Sequence, residues 1–169
     1  EIGSFTGFSA LSMSLALPKD GLLISLDKDK EISKIAKSFY VKARETKIKQ
    51  IIKPALESLK ELKKSNNYFD LVFTSPPYFN VERYSHDDTQ SWIRYKDIDG
   101  WNKNFLHKAL DKIIPTVKKG GLIAINISDV YTAGKGGKTW KEITNPMGDF
   151  LTSKGLKYRG CIGMEMTKR

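Results

Sequence analysis

The chain of 169 residues holds one cysteine, Cys161, and two histidines, His86 and His107. A single cysteine cannot close an internal disulfide, which fits a reducing compartment. Cysteine and histidine this sparse and this far apart do not assemble a zinc cluster, so no metal site is expected. No apolar run approaches the roughly 18 residues needed to span a bilayer, and no basic-then-apolar leader precedes a cleavage site. The reading is a soluble, cytoplasmic protein, nucleoid-associated if its partner is nucleic acid. Internal repeats, low-complexity tracts and domain linkers are also missing. Residues 1–169 therefore read as one domain.

What is present is positive charge. Lys and Arg number 29 against 19 Asp and Glu, a formal net charge of +10. The excess dominates two stretches, Lys28 to Lys64 and Lys135 to Arg169, so it is not a tail. A phosphate backbone is one partner such a balance favours, because neutralising it releases counterions. A solvated lysine-rich surface accounts for the charge equally well.

Short apolar strands alternate with amphipathic helices. Strands are expected at Gly21–Asp27, Lys47–Ile52, Tyr68–Phe73 and Leu122–Ile127, with a last strand or hairpin from Leu156 to Met166. Asp29 to Arg44 carries Ile32, Ile35, Ala36, Phe39 and Tyr40 at helical spacing. Further helices are expected from Ala10 to Leu17, from Pro54 to Lys64, from Trp101 to Lys118 with Gly120-Gly121 as the stop, and from Thr144 to Gly155. Such alternation argues for an α/β fold, a mostly parallel sheet flanked by helices. Ligands of such folds sit beyond the carboxyl ends of the strands. Three segments fall there: Glu1 to Ser9, Asp27, and Ser75 to Tyr78.

Glu1-Ile2-Gly3-Ser4-Phe5-Thr6-Gly7-Phe8-Ser9 is a glycine turn leading into a helix. Its glycines let the backbone approach a ligand, and the helix start offers N–H donors to a carboxylate. The spacing is G-x-x-x-G, which disfavours a dinucleotide, and the segment holds no Gly-Lys-Ser/Thr. Asp27, closing the next strand, is placed to accept hydrogen bonds from ribose hydroxyls. From Glu1 through Ser9, with Leu15-Ala16-Leu17-Pro18 and Asp27, the chain resembles class I S-adenosylmethionine-dependent methyltransferases. The branch it is closest to is that of the caffeoyl-CoA and catechol O-methyltransferases. That resemblance implies a Rossmann-like fold and S-adenosyl-L-methionine as cofactor. It implies that Glu1, Gly3 and Gly7 shape the methionine pocket, Ser9 meets the cofactor carboxylate and Asp27 holds the ribose. Phe5, Thr6 and Thr74 complete the expected cofactor set. In that fold the first strand precedes the motif, and here the chain starts at its last residue, so a truncated first strand is expected.

The second segment is Asp70-Leu71-Val72-Phe73-Thr74-Ser75-Pro76-Pro77-Tyr78. The exocyclic amine of a base is a poor nucleophile because its lone pair is delocalised into the ring. Acceptors for its two N–H bonds pull the nitrogen toward tetrahedral geometry and free the pair. Ser75 offers a hydroxyl and Pro76 a carbonyl, and consecutive prolines hold that backbone extended. Tyr78 offers a face on which an extruded base can stack. Ser75-Pro76-Pro77-Tyr78 resembles the [D/S/N]-P-P-[Y/F/W] motif of DNA amino-methyltransferases acting at cytosine N4 or adenine N6. The likeness continues through Trp101, Lys118-Lys119-Gly120-Gly121 and Leu122 to Asp129. Serine in the leading position leans toward cytosine N4. Metal-dependent O-methyltransferases carry Asp-x-Asp-Lys at this strand end, and Ser75-Pro76-Pro77-Tyr78 replaces it.

Lesser candidates surround these. Arg83, Tyr84, His86, Trp92, Arg94, Tyr95 and Lys96 interleave aromatic and basic types after the double proline, as a loop gripping phosphates or as packing anchors. Asn126 and Asp129 are candidates for the substrate cleft. Gly134 to Lys138 reads as a phosphate-embracing or solvated flexible loop, His107 as a surface or packing residue, and Cys161 as a small core residue. The expectation is methylation of an exocyclic amine of a DNA base, with RNA as the other substrate. A recognition domain or specificity subunit outside this chain would read the sequence. The alternatives are a small-molecule O-methyltransferase and an inactive nucleic-acid-binding subunit.

Overall fold

The computed structural model describes residues 1–64, 69–83, 88–134 and 137–163. In chain order the elements are α1 (Phe8–Ala16), β1 (Leu23–Asp27), α2 (Lys30–Lys42), β2 (Ile48–Ile52), α3 (Ala55–Lys64) and β3 (Phe69–Thr74). After them come α4 (Ser91–Arg94), α5 (Ile98–Trp101), a π segment (Asn102–Leu106), α6 (His107–Ile113) and a 3₁₀ turn (Ile114–Thr116). The chain closes with β4 (Val117–Ile125), β5 (Val130–Gly134), β6 (Gly137–Lys141) and α7 (Thr144–Ser153).

The opening residues are the hinge of the sheet. β1 pairs in parallel with β2, and β3 in parallel with β4. Ile2 bridges both halves, in parallel to Leu26 and to Thr74. Backbone bonds make the join: Ile2 N–H donates to Phe73 O at 3.1 Å, Gly3 N–H to Leu26 O at 2.8 Å, and Leu26 N–H to Glu1 O at 3.0 Å. The order across the sheet is thus β2, β1, residues 1–3, β3, β4. Chain direction across the sheet reverses at residues 1–3, and a crevice opens at such a switch point.

Two apolar clusters cover the two faces. One gathers Ala10, Leu23, Ala36 and Tyr40 under α1 and α2. The larger packs Leu59 and Leu62 of α3 and Leu110 and Ile113 of α6 with Leu26, Val72 and Trp101. Asp29 caps α2, accepting from the N–H groups of Glu31 and Ile32 at 2.9 Å, and a cap of this kind is worth about 1 kcal/mol. The inner face of α2 differs from the hydrophobic spacing. Ser33, Ala36 and Tyr40 are buried, while Ile35 and Phe39 are exposed. Ser33 satisfies its hydroxyl on Asp29 O at 2.6 Å, which lets a polar residue take the close contact with the sheet.

Other corrections concern the second half. The expected helix from Trp101 to Lys118 starts earlier, at Ile98, and ends at Thr116, where Pro115 tightens the last turn. Lys118 to Gly121 belong to β4. Gly120-Gly121 serve a bulge there: Phe69 pairs with Val117 and Leu71 with Leu122, so β4 carries three extra residues. Gly120 takes φ 84°, and a Cβ on Gly121 would lie 3.0 Å from Asp70 O, which is why glycine stands at both positions. Of the expected loop from Gly134 to Lys138, the described residues lie in strands: Gly134 pairs with Gly137 and Ala133 with Lys138 in an antiparallel pair. Lys135 and Gly136 lie outside the described residues. No strand forms from Leu156 to Gly163; this stretch is mostly exposed, with Tyr158 and Ile162 open to solvent, and the rest of the expected element, to Met166, lies outside the described residues. Cys161 is exposed rather than in the core. Among the described residues, no helix is long and apolar enough to cross a membrane.

Candidate active site at the sheet switch point

The cofactor turn grows out of residues 1–3. Gly3 and Gly7 take φ 83° and 87°, and Phe5 takes φ 46°, so the turn doubles back before α1. Space admits glycine alone at Gly7, where a Cβ would meet the Tyr40 hydroxyl at 2.5 Å and Ala36 Cβ at 2.8 Å. At Gly3 a Cβ would meet nothing within 4 Å, so the backbone faces open space. Asp27 holds the turn shut. Its Oδ2 accepts from the N–H groups of Ser4 at 3.1 Å and Phe5 at 2.9 Å, and its Oδ1 from Asp29 N–H at 3.0 Å.

Beneath the turn lies a polar cluster. The Ser9 hydroxyl donates to Glu1 Oε1, while Glu1 Oε2 is buried with no hydrogen-bond partner among the described residues. Burial pushes the Glu1 carboxyl above its ordinary range, against the pull of the Ser9 bond. Burial first, and then the nearby Glu1 charge, push the Tyr40 phenol up to about 12. Of the expected cofactor set, Glu1, Gly3, Ser9 and Asp27 converge on one side of the switch point. Phe5 is exposed, Thr6 is half-buried, and Thr74 is buried with its hydroxyl on Ile2 O at 3.3 Å.

Across the crevice, Ser75-Pro76-Pro77-Tyr78 leaves the end of β3. Ser75 is exposed and its hydroxyl has no partner among the described residues; Pro76, Pro77 and Tyr78 are half-buried. The turn after them is tight, with Phe79 N–H on Pro77 O and Val81 N–H on Tyr78 O, both at 3.0 Å. Phe79 takes φ 49°. Its ring anchors the strain, buried against Trp101 edge-on with centroids 6.0 Å apart. Trp101, fully buried, donates its indole N–H to the Ser91 hydroxyl at 3.1 Å. Tyr78 is held at both ends: its N–H donates to Glu82 Oε2 at 3.2 Å, and its hydroxyl to Asn126 Oδ1 at 3.1 Å.

Two cavities flank this turn. One, of about 460 Å³, joins Lys28 and Asp29 after β1 to Pro77, Gln90, Ser91 and Phe105. It therefore connects the strand end that carries Asp27 with the double proline. The other, of about 300 Å³, is walled by Phe79, Asn80, Arg83, Trp92, Ile93 and Lys96.

Comparison with known proteins divides the chain along this crevice. Residues 1–95 match the family model for O-methyltransferases, and residues 69–167 match that for DNA methylases. The chain belongs to the class I S-adenosylmethionine-dependent methyltransferases. The two matches overlap on β3, the double proline and the segment after it.

Curated relatives are similar to this methyltransferase over part of their length. Caffeoyl-CoA O-methyltransferase of Pinus taeda is 36% identical over 128 residues, covering 73% of this chain and 40% of its own. Catechol O-methyltransferase domain-containing protein 1 of Mus musculus is 40% identical over 63 residues, 37% of this chain and 24% of its own. The chain thus spans less than half the length of these relatives. Among solved structures, a SAM-dependent methyltransferase from Agrobacterium tumefaciens superposes with a TM-score of 0.60 at 16% identity, over 88% of this chain and 42% of that one. An O-methyltransferase from Streptomyces achromogenes involved in tomaymycin synthesis, solved with SAM, gives 0.54 at 16% identity, over 82% and 68%. These likenesses establish the Rossmann-like fold.

The methyl donor of the class is S-adenosyl-L-methionine, and the residues present fit it. Glu1 Oε2 is an orphaned buried acceptor, Gly3 exposes bare backbone to open space, and Asp27 Oδ1 keeps a lone pair beyond its single bond to Asp29. Other sites fare differently. Asp129 is engaged by a helix start: its Oδ1 accepts from the N–H groups of Ile143 at 2.7 Å and Thr144 at 2.8 Å and from the Thr144 hydroxyl at 3.0 Å, capping α7. Burial pushes its carboxyl up, but these bonds outweigh burial and hold it below the usual range. His107 stacks on Phe150 with centroids 4.2 Å apart, a packing role. His86 and Tyr84 lie outside the described residues. Sequence reading missed Glu82 and ranked Asn126 low, because contacts between residues 78 and 126 leave no local signal.

Proposed function

We propose that this methyltransferase transfers a methyl group to an exocyclic amino nitrogen of a DNA base, cytosine N4 in preference to adenine N6. The observation that carries the reading is the strand end itself. Where a metal-dependent O-methyltransferase needs acids, β3 delivers Ser75-Pro76-Pro77-Tyr78, with an open hydroxyl and an aromatic ring fixed by Asn126 and Glu82. The DNA methylase match over residues 69–167 and the net charge of +10 support it.

S-adenosylmethionine supplies an electrophilic methyl carbon on a sulfonium. Glu1, Ser9 and the backbone at Gly3 bind its methionine part, Asp27 the ribose, and Phe5, Thr6 and Thr74 border the site. The Ser75 hydroxyl and the Pro76 carbonyl accept the two N–H bonds of the target amine, making its lone pair available. Tyr78 stacks on the extruded base; alanine replacement of such platforms costs about 1–3 kcal/mol. Rate comes mainly from positioning and preorganised polarity. Specificity for sequence belongs to a separate domain or subunit.

A second reading, a small-molecule O-methyltransferase, draws on the curated relatives. One assay separates them: labelled cofactor offered to DNA without divalent metal and to a catechol with magnesium. Label in DNA supports the amine reading. Label in the catechol alone, dependent on magnesium, overturns it.

A further inference from the structure

Resting on that reading, we infer that the cavity walled by Phe79, Asn80, Arg83, Trp92, Ile93 and Lys96 seats a phosphodiester of the strand that carries the target base. Its lining is chemically one-sided. Arg83 and Lys96 bring two positive charges, Asn80 brings an amide donor, and no acid lines the cavity among the described residues. The Trp92 indole N–H is buried without a hydrogen-bond partner among the described residues. An unmade bond of this kind costs about 1–3 kcal/mol, and Trp92 is one wall of the cavity. The Arg83 guanidinium lies 5.0 Å from the centroid of the Trp92 ring, which steadies a flexible cation beside the cavity and covers a ring face otherwise open to a base. A phosphate, not a stacked base, is therefore the occupant that fits.

Position makes the second argument. Both cavities are built on the same two segments. The reaction crevice touches Pro77, Gln90 and Ser91, and the basic cavity touches Phe79, Asn80, Trp92 and Ile93. One residue, Tyr78, separates Pro77 from Phe79, and Ser91 and Trp92 are adjacent. A strand with its base against Pro77 and Tyr78 has its neighbouring phosphate within reach of Arg83 and Lys96. The strained Phe79, locked on Trp101, fixes the spacing between the two. About 300 Å³ holds a phosphate with part of its sugars.

The test measures affinity for a fluorescent single-stranded oligonucleotide as a function of salt, by anisotropy. DNA and RNA of the same sequence form two arms, because the phosphodiester is common to both. Arg83 and Lys96 are exposed, so Arg83→Gln and Lys96→Gln should fold normally. Each should flatten the slope of log affinity against log salt by about 0.7, the value for one lost phosphate contact on a single strand. In methyl transfer to DNA each should raise KM more than it lowers kcat. Lys60→Gln, an exposed lysine on α3, is the charge control and should leave the slope as it is. The indole ¹⁵N–H resonance of Trp92, assigned through Trp92→Phe, should shift on oligonucleotide addition in the wild type and stay in place in Arg83→Gln.

If the wild type methylates DNA while both glutamine variants keep the full slope, the phosphate seat is wrong and the amine-methylation reading stands. If DNA receives no methyl group but oligonucleotide binding still depends on Arg83 and Lys96, the seat stands and the reaction assigned above falls. Slopes that change as much with Lys60→Gln as with Arg83→Gln overturn the seat in favour of diffuse charge.

Discussion

Single atoms decide most of the site. Ser75 has an open hydroxyl, and Tyr78 is pinned at its N–H and its hydroxyl. Ser75→Ala or Tyr78→Ala should therefore cut methyl transfer strongly, by ten-fold or more if each contributes about 1.4 kcal/mol or above. Cofactor affinity by calorimetry should barely move; equal loss of both would place these residues in the cofactor site instead. Gly7 behaves oppositely. Gly7→Ala must fit a Cβ at φ 87° and displace the Tyr40 hydroxyl from 2.5 Å. Strain of this kind costs about 1–3 kcal/mol, so melting temperature and cofactor affinity should fall together. Which residues were legible follows from locality. The double proline at a strand end and the glycine turn are contiguous and carry their own backbone logic. Tyr78 with Asn126 joins residues 48 apart, and Asp129, an acid after a strand, reads from sequence like a cleft residue although its bonds go to a helix start.

Elements show the same division. Strand-end and helix-start positions near the cofactor turn came directly from periodicity and caps. The second half did not, because β4 begins immediately after the 3₁₀ turn and a glycine bulge looks like a helix stop. Asp129 stabilises α7 from a distance. Asp129→Ala should cost about 1 kcal/mol, within the usual range for a lost cap, measured by denaturant titration, without weakening cofactor binding. With the native carboxyl held below its ordinary value, this contribution is present above the unfolded value and is lost as pH falls through the folded one. His107 joins α6 to α7 through Phe150. Burial pushes its imidazole below the ordinary value near about 6.5. Its stacked neutral form is stabilising above that value, and stability is lost as pH drops toward the lowered one. His107→Gln should remove this component, so thermal scans from about pH 8 to about pH 5 should show a shallower decline than the wild type.

Over the whole molecule, the sheet order reverses at residues 1–3, which sets the cofactor turn on one lip of the crevice and the double proline on the other. That geometry explains how one chain matches an O-methyltransferase family over its first part and a DNA methylase family over its second. The α/β class and the switch-point crevice were legible because alternating elements and parallel strands allow few topologies. The strand role of the opening residues came from the resemblance alone, since three residues carry no periodicity of their own. The central claim is that the second lip chooses the acceptor atom. Its most direct test is incubation with DNA and labelled S-adenosylmethionine, digestion to nucleosides, and mass spectrometry. The account predicts label in N4-methylcytosine, with N6-methyladenine as the second expected product. Label on a ring carbon, or none in DNA while a catechol hydroxyl is methylated, would contradict it.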